Sequence, residues 1–358
     1  MILFRYAALR TLAAFLAALA GVVAIFLAVD FVDNSATFTG PGWVTAVLEL
    51  YVNKTAVVVR QVAPAAMVLG AAISVSTFRK TREYTAMRAL GLGPWRLAVP
   101  VVTVTLLAGV ALLVVHDLWG VDAAERAEEI RATRFSRGKR SFAESREPKR
   151  WFRSRDGRRI YHLSGSLPEG GFARVTVLEV TRDFRLSGRI DAARMRPDGD
   201  AWVLEDVQDR TFLADGRLRL ERAAARRYEF PEPPEAFAVV PGRPSQMRWH
   251  TLVSQIAVRR HVGLSVAEFE LERHNRVAYP FAGVPGALLA VALALRRARK
   301  GHISAALVES VGVSILFWGV QGVSLALGLS GRVAPWVAAW APNALFLAAG
   351  IAAVRRAR

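Results

Sequence analysis

The chain has 358 residues, of which 53% are hydrophobic, and it carries a formal net charge of +18 and no cysteine. Apolar stretches of eighteen or more residues recur along it, which favours the membrane class over an ordinary soluble domain. The absence of cysteine excludes disulfides and thiolate metal sites.

Six membrane-spanning helices are predicted, each with about the 20 residues that cross ~30 Å of hydrocarbon. No small-residue cleavage site promptly follows the first apolar stretch, so we interpret it as a retained helix and not as a signal peptide. In chain order the predicted spans are Ala8–Val29, Ala56–Val75, Leu97–Val115, Val277–Leu295, Ile303–Leu329 and Pro335–Val354.

The region between the third and fourth spans differs in character and predicts a separate domain. From about Arg158 polar and apolar residues alternate, as in Arg174–Val180 and Trp202–Val207, which predicts strands with one buried face. Several short strands separated by Gly- and Pro-containing turns indicate an antiparallel sandwich, jelly roll or open barrel. The flanking predictions are a polar helix at Asp122–Arg134, an extended exit at Pro231–Pro244 and a helix at Ser245–Glu272.

The predicted organisation is therefore residues 1–115 with three spans, residues 116–276 as the β domain with flanking helices, and residues 277–358 with three spans. Positive charge in the short connections predicts that both termini are cytoplasmic and that the β domain lies outside. The charges on the predicted cytoplasmic side are Arg5, Arg10, Arg79, Lys80, Arg82, Arg88, Arg96, Arg296, Arg297, Arg299, Lys300, Arg355, Arg356 and Arg358.

A short charged segment, TREYTAMRALGLGPWR, separates the second and third spans. Thr81 is predicted to cap a helix whose first turn contains Glu83, since a hydroxyl and a carboxylate both suit a helix N-terminus. Gly91 or Gly93 is predicted to end it. The segment therefore predicts one short capped helix at about 81–91.

One face of this short helix combines apolar and acidic groups. Glu83, Met87 and Leu90 share that face at helical spacing, with Tyr84 beside them. Such a face suits insertion into a groove of a soluble partner. It equally suits a helix that lies on the bilayer surface, and the residues alone leave both alternatives open.

Motifs for catalysis are not found in the sequence. There is no phosphate loop, no H-E-x-x-H and no G-x-S-x-G, and Arg96 stands where a dinucleotide fingerprint needs its third glycine. Ser136-Arg137-Gly138-Lys139 matches S-x-x-K, a pattern that is common by chance. The six histidines show no i, i+4 pairing that would favour zinc. We therefore predict no enzyme, no cofactor and no metal in this chain, so that directional work needs a partner or an ion gradient.

A family resemblance covers essentially the whole chain. Residues Glu83-Tyr84-Thr85-Ala86-Met87-Arg88-Ala89-Leu90-Gly91 resemble the E-x-x-x-M/L-R-A-x-G coupling-helix signature of the LptF/LptG permeases, the membrane subunits of the lipopolysaccharide export ABC transporter. The three-plus-three layout with a β domain is similar too. Further similar features are Tyr51-x-x-Lys54, Pro280, Pro285 and Trp340-Ala341-Pro342-Asn343, while Asp30-Phe31-Val32-Asp33 reads closer to LptG than to LptF.

The resemblance implies a partnership and a mechanism. Two such permeases pair, and a dimeric LptB-type ATPase, which binds the ATP and magnesium, docks on their coupling helices. Glu83 would make a polar contact in the ATPase groove that Met87 and Leu90 fill, with Arg88 nearby. Lipopolysaccharide would enter between the first span of one permease and the fifth of the other. It would then pass the jelly-roll-like β domain to LptC-type and LptA-type periplasmic proteins on the way to the outer membrane, and the open edge strand of the β domain would pair with the next module.

The family's lipid-binding end departs from its usual pattern here. LptG relatives carry lysines at the outer end of the first span, where this chain has Asp30, Asp33 and Asn34. The nearest cations are Lys54, either an interfacial anchor or a lipid phosphate contact, and Arg60. Arg60 lies about 9 Å deeper at ~1.5 Å per residue, so it needs a partner or a wet cavity.

The fifth span supplies the remaining candidates. Phe317, Trp318 and Gln321 either line an acyl-chain cavity or serve helix packing. Glu309 either pairs with a loop arginine or makes a gating contact. In the β domain, Arg226 and Arg227 belong either to a solvated face or to a surface for acidic glycolipid.

Three other functions compete with lipopolysaccharide export. A membrane adaptor or sensor would share the topology without binding an ATPase. A lipoprotein-release or macrolide-type permease would carry its large domain after the first span, whereas here it follows the third. A lipid-modifying enzyme is disfavoured because no nucleophile and base can be paired in the sequence.

Overall fold

The computed structural model describes residues 2–135, 150–154, 157–165, 167, 171–183, 185–199, 201–213, 216–230, 237, 244–261, 264–296 and 303–357. The Ser136–Lys139 motif, most of the predicted exit segment 231–243 and the charged residues 297–300 lie outside the described part. Two compact units are present. One comprises Met1–Arg137, Pro244–Trp249 and Ala267–Arg358, and the other comprises Gly138–Arg243 and His250–Val266.

The first unit is helical. Six helices in the described part are long and apolar enough to cross a membrane, which confirms the predicted number of spans. The helices of this unit are α1 Ile2–Asn34, α2 Trp43–Lys80, α3 Glu83–Ala89, α4 Trp95–Val115 and α5 Val121–Arg134, followed by α7 Ala267–Ala278, α8 Gly283–Arg296, α9 Ile303–Leu329 and α10 Pro335–Arg356. Helix α6, Trp249–His261, connects back from the second unit.

Several helices are longer than their apolar stretches predicted. Helix α1 has 33 residues and α2 has 38, so at ~1.5 Å per residue both exceed the ~30 Å of hydrocarbon. The extra turns mix apolar residues with charged and polar ones, as in Ile2–Ala7 of α1 and Trp43–Thr55 of α2. The third span continues through a π-helical turn at His116–Gly120 into α5, as the prediction of a polar helix at Asp122–Arg134 required.

Helices α1 and α2 cross in close contact near the end that carries α3. Ala7, Thr11 and Phe15 lie one turn apart on α1 and are all buried. Thr11 and Ser74 form a buried hydroxyl–hydroxyl hydrogen bond of 3.1 Å. A Cβ placed on Gly70 would stand 2.5 Å from the Cα of Phe15, so only glycine lets the two backbones approach here. Such small residues allow dispersion and hydrogen bonding to hold membrane helices together.

Helix α8 forms the centre of the helical core. Ala287, Val291 and Ala292 are fully buried in a cluster that α2, α4 and α10 complete. Gly283 and Gly286 face α2, and a Cβ at either position would collide with the side chain of Met67 or Val68. By contrast only 11% of the apolar window of α1 and 17% of that of the fifth span are buried. These two helices therefore expose most of their apolar surface.

The second unit contains the predicted antiparallel β domain. Its strands are β1 Arg150–Arg153, β2 Arg159–Leu163, β3 Val175–Val180, β4 Leu186–Ala192, β5 Arg194–Asp198, β6 Ala201–Phe212 and β7 Leu218–Tyr228. All belong to one seven-stranded sheet. β4 and β5 pair in succession with one side of β6, and β7 pairs with its other side. Within the described part, β1, β5 and β7 each pair with one strand only, and β5 makes one further bridge between Met195 and Phe172.

The two faces of the sheet differ sharply. One face buries Tyr161, Val177 and Leu204 among aromatic residues that include Phe230 and Phe237. On the opposite face Asp191 accepts hydrogen bonds from Thr176, Arg189 and Arg210. Burial alone would raise the pKa of Asp191, but these hydrogen bonds and the charge of Arg189 hold it below its ordinary value.

Candidate functional site

The predicted coupling helix is present as α3, but it begins differently from the prediction. Thr81 ends α2, because its backbone N–H donates to the carbonyl of Thr77. Arg82 then takes a left-handed backbone conformation with φ of 61°, and its side chain makes no capping hydrogen bond. The Thr81 hydroxyl instead donates to Oε1 of Glu83 over 2.7 Å. The prediction that Thr81 caps this helix is wrong because α2 runs on to Lys80.

The end of α3 follows the prediction. Gly91 has φ of 77°, a conformation that glycine adopts without a Cβ clash. Its N–H donates to the carbonyl of Arg88, and the N–H of Leu92 donates to the carbonyl of Met87, both over 3.0 Å. This pair of bonds is the Schellman arrangement, which satisfies the last carbonyls of a helix. The stop at Gly91 is therefore built by backbone geometry.

The side chains of α3 divide between core and surface. Met87 is 9% exposed and belongs to the main helical core, and Tyr84 packs against the same core. Burial raises the pKa of the Tyr84 hydroxyl above its ordinary value. Leu90 is 79% exposed, and Arg88 is also exposed. The expectation that Met87 projects with Glu83 and Leu90 into a partner's groove is wrong, because Met87 anchors α3 to its own chain.

Glu83 is held by the first helix. Its Oε1 lies 3.0 Å from a guanidinium nitrogen of Arg10, and the two side chains are 29% and 34% exposed. Arg10 in turn lies over the rings of Tyr6 and Phe78, at 4.9 and 5.3 Å from their centroids. Stacking and ion pairing together fix the direction of the guanidinium. Glu83, which the sequence predicts to contact the ATPase, thus already has an ion-pair partner inside the chain.

At the opposite end of α1 a second polar cluster joins α1 to α2. Lys54 forms an ion pair of 2.5 Å with Asp30, and the hydroxyl of Tyr51 donates to the same carboxylate oxygen over 2.8 Å. Both side chains of the ion pair are largely buried. Asp33, one turn beyond Asp30, is exposed and with it lines a groove on α1. Asp30 therefore serves as the counter-ion of Lys54.

Arg60 has both the partner and the cavity that its depth requires. One guanidinium nitrogen lies 2.8 Å from Nε2 of His116, and another lies 3.7 Å from Oε1 of Glu272. Glu272 also pairs with Arg276 over 3.5 Å. Arg276 is 1% exposed and donates to the backbone carbonyls of Met247 and Pro244 over 2.7 and 3.1 Å. Because these backbone carbonyls also stabilise the charge of Arg276, Arg60 and Arg276 can share the single carboxylate of Glu272.

These two polar clusters face one cavity. It has a volume of about 390 Å³ and is walled by α1, α2, the π-helical turn, α5 and the Pro244–Gln246 turn. Its charged and ionisable lining residues are Asp30, Lys54, Arg60, His116, Glu128 and Arg131. The π-helical turn brings His116 and Gly120 to the wall of this cavity. A cavity with three cations and two carboxylates suits a polar, anionic group.

Of the three candidate lining residues on α9, two are buried and one is exposed. Phe317 is 5% exposed and meets Phe346 edge to face at 5.1 Å between ring centroids. Gln321 is also buried and donates to the side chain of Asn275 over 2.9 Å. Trp318 is 41% exposed. Within this chain Phe317 and Gln321 are packing residues, and Trp318 is the one of the three on the exposed surface.

Several residues at these sites were not singled out from the sequence. Arg10 counted only as a charge near the first span, and His116, Glu272 and Arg276 fell at domain boundaries. A usable signal existed for the last two, since Glu272 and Arg276 stand at i, i+4 directly before an apolar helix. In the β domain, Arg226 pairs with Asp209 and Glu221, and Arg227 pairs with Asp198, as expected of a solvated charged face.

A family model described as lipopolysaccharide export system permease LptF/LptG matches residues 5–356, nearly the whole chain. The chain belongs to the LptF/LptG family. No curated protein matches it. Membership makes the chain a transport subunit of the lipopolysaccharide export system rather than an enzyme. Together with the six apolar helices, it also makes the chain a multi-pass protein of the inner membrane.

Proposed function

We propose that this LptF/LptG-family permease pairs with a sister permease and is driven by a dimeric LptB-type ATPase that docks on α3. ATP and magnesium bind to the ATPase. The complex extracts lipopolysaccharide from the inner membrane and passes it to LptC-type and LptA-type periplasmic proteins. The sequence Asp30–Asp33 supports the LptG type for this chain and the LptF type for its sister.

The observation that carries the proposal is the division of α3 into two faces. Met87 and Tyr84 fix the helix to the core, whereas Leu90 stands exposed at its capped end. An exposed leucine at the C-terminal cap of this anchored helix, two residues after the exposed Arg88, offers an apolar anchor with a charge nearby, which suits a groove in a soluble partner. In this revised surface Leu90 and Arg88 meet the ATPase, Gly91 sets their direction, and Glu83 lies at the rim.

The distribution of charge supports a cytoplasmic position for α3. Arg79, Arg82 and Arg96 flank it, and Arg355 and Arg356 end the last helix. By the positive-inside rule this arrangement favours cytoplasmic termini and a periplasmic β domain. The ATPase then meets α3 on the side where ATP is available.

The lipid path follows the surfaces that the chain leaves uncovered. The apolar faces of α1 and α9 are mostly exposed, as expected where two permeases meet and a lipid enters between them. Lys54 and Arg60 line the polar cavity beside α1, which supports a contact between these cations and a lipid phosphate. Edge strand β7, exposed along nearly all its length, offers backbone groups for pairing with the next β module.

A reconstitution experiment tests the proposal. Liposomes containing this chain, its sister permease and the ATPase are given ATP, and lipopolysaccharide reaching the periplasmic β protein is measured. Leu90→Ser is expected to weaken ATPase binding and lower release at least tenfold. Leu118→Ser changes a leucine of similar exposure, 74% against 79%, in the π-helical turn that follows α4, and is the control. Unchanged ATPase binding with Leu90→Ser would refute docking on α3.

A further inference from the structure

Arg10 connects the first membrane helix to the helix that receives the ATPase. Its guanidinium reaches Glu83 at 3.0 Å and is held between the rings of Tyr6 and Phe78. Those two rings also meet edge to face at 5.7 Å. The contact is therefore a small cluster joining α1, the end of α2 and the first turn of α3.

The position of this cluster on α1 determines which part of the helix it can move. The half of α1 near α3 is packed closely on α2 through Ala7, Thr11 and Phe15. Beyond Phe15 no residue of α1 is fully buried, and Gly21 has nothing within 4 Å of a Cβ position. The helix is thus buried most closely at its α3 end, is only partly covered along the following turns, and is held again at its far end by the Asp30–Lys54 ion pair.

A continuous helix transmits displacement of one end to the other, because its backbone hydrogen bonds resist bending. Helix α1 contains no proline that would interrupt them. A movement of α3 that carries Glu83 with it pulls on Arg10 and so on the whole of α1. The half-buried ion pair is also screened less by salt than an exposed one.

We infer that Arg10 is a positioning residue that transmits movement of α3 to α1 through Glu83, so that ATPase action on the coupling helix displaces the exposed half of α1. The inference rests on the proposed function, because that function supplies the ATPase that moves α3. It differs from that function in assigning Glu83 an internal role, with ATPase binding carried by Leu90 and Arg88.

The first experiment measures coupling in the complete complex. Arg10→Ala is expected to leave ATPase binding intact and ATP hydrolysis within about twofold, while lipopolysaccharide released per ATP falls about tenfold. Arg10→Lys is expected to restore part of this ratio because the charge returns without the guanidinium fork. The charge exchange Arg10→Glu with Glu83→Arg is expected to release more lipid per ATP than either single variant. Arg5→Ala, an exposed arginine on the same helix, is the matched control.

The second experiment reads movement without transport. Because the chain has no cysteine, spin labels can be attached uniquely at Ala24→Cys on the exposed half of α1 and at Val52→Cys on α2. ATP binding to the assembled complex is expected to shift the distance between the labels in the parent, and Arg10→Ala is expected to abolish that shift.

The outcomes separate the inference from the proposed function. Loss of ATPase binding in Arg10→Ala would make Arg10 part of the docking surface and overturn the inference. A release-to-ATP ratio or a label shift unchanged by Arg10→Ala would overturn it equally. If the parent complex binds its ATPase but releases no lipid in the first experiment, the proposed function fails. The label shift then still shows whether Arg10 links α3 to α1.

Discussion

The contact between α1 and α2 can be tested by adding one methyl group at Gly70. A Cβ at this position would lie 2.5 Å from Cα and 2.7 Å from N of Phe15. Both are backbone atoms, so no side-chain rotation relieves the clash. Ordinary contact begins at 3.4 Å, and Gly70→Ala therefore requires α1 to move away by about 1 Å.

Two opposing effects set the magnitude. Alanine favours a helix over glycine by about 1 kcal/mol. Overpacking that moves backbone costs about 1–3 kcal/mol, and separating the helices also lengthens the buried Thr11–Ser74 hydrogen bond, worth about 1 kcal/mol. The net expectation is a loss of about 1–3 kcal/mol in the free energy of unfolding. Gly312→Ala, on the exposed side of α9 with nothing within 4 Å, lacks the clash and is expected to be neutral or stabilising.

The measurement is reversible unfolding of the purified chain in mixed micelles with increasing SDS, followed by tryptophan fluorescence. Gly70→Ala and Gly312→Ala have the same chemistry and differ in surroundings, so their difference isolates the α1–α2 contact. Equal stability of the two variants would refute the close approach at Phe15. It would also remove the fixed end of α1 on which the transmission through Arg10 depends.

Three further predictions address the buried polar cluster, α9 and the β domain. Glu272→Ala leaves Arg60 and Arg276 without their carboxylate and is expected to cost about 3–5 kcal/mol in the same unfolding assay. Glu268→Ala, an exposed residue one turn earlier, is the control, and equal losses would contradict the buried pairing. Phe317→Ala is expected to cost about 3–5 kcal/mol because that ring is buried. Trp318→Ala is expected to cost less, and the reverse order would restore Phe317 as a lining residue. The lowered pKa of Asp191 means that its stabilising effect is full above its unfolded pKa of about 4 and is lost as pH falls below that value. Protection of β4 and β6 in peptide-resolved hydrogen exchange, corrected for intrinsic rates, is therefore expected to fall as the pH is lowered below about 4 in the parent and to change less in Asp191→Asn.

The spans and strands could be predicted because their signals are local. A run of apolar residues long enough for the bilayer identifies α9 with the observed bounds Ile303–Leu329. Alternation identifies β3 and β6. The positive φ at Gly91 could be predicted too, since glycine before the Leu92-Gly93-Pro94 break has few other uses. Each of these features depends on neighbours within a few residues.

The direction of side chains on α3 could not be predicted in the same way. A helical wheel groups Glu83, Met87 and Leu90, but it cannot say which part of the helix meets the rest of the chain. Over only seven residues the wheel gives too few positions to distinguish a partner-facing side from a core-facing one. The packing of Met87 against the helical core, which is built by residues far along the chain, decides the question. Met87, which the wheel groups with the partner-facing residues, therefore belongs to the core of its own chain.

The charged side chains inside the helical unit have partners far away in the sequence, which explains why these partners were not identified from the sequence alone. Each cation that the described structure places deep in the helical unit reaches a carboxylate or backbone carbonyls from a distant part of the chain. Arg60 meets Glu272, on a helix near the other end of the chain, and Arg276 meets Met247, 29 residues away. An unpaired charge at such depth costs several kcal/mol, so the fold is obliged to bring these partners together. The cations at 60 and 276 were therefore evidence of long-range contacts before any partner was known. An intramembrane charge in a permease of this kind is best read as one half of a helix-to-helix connection, and the search for its other half leads directly to the parts that must move together.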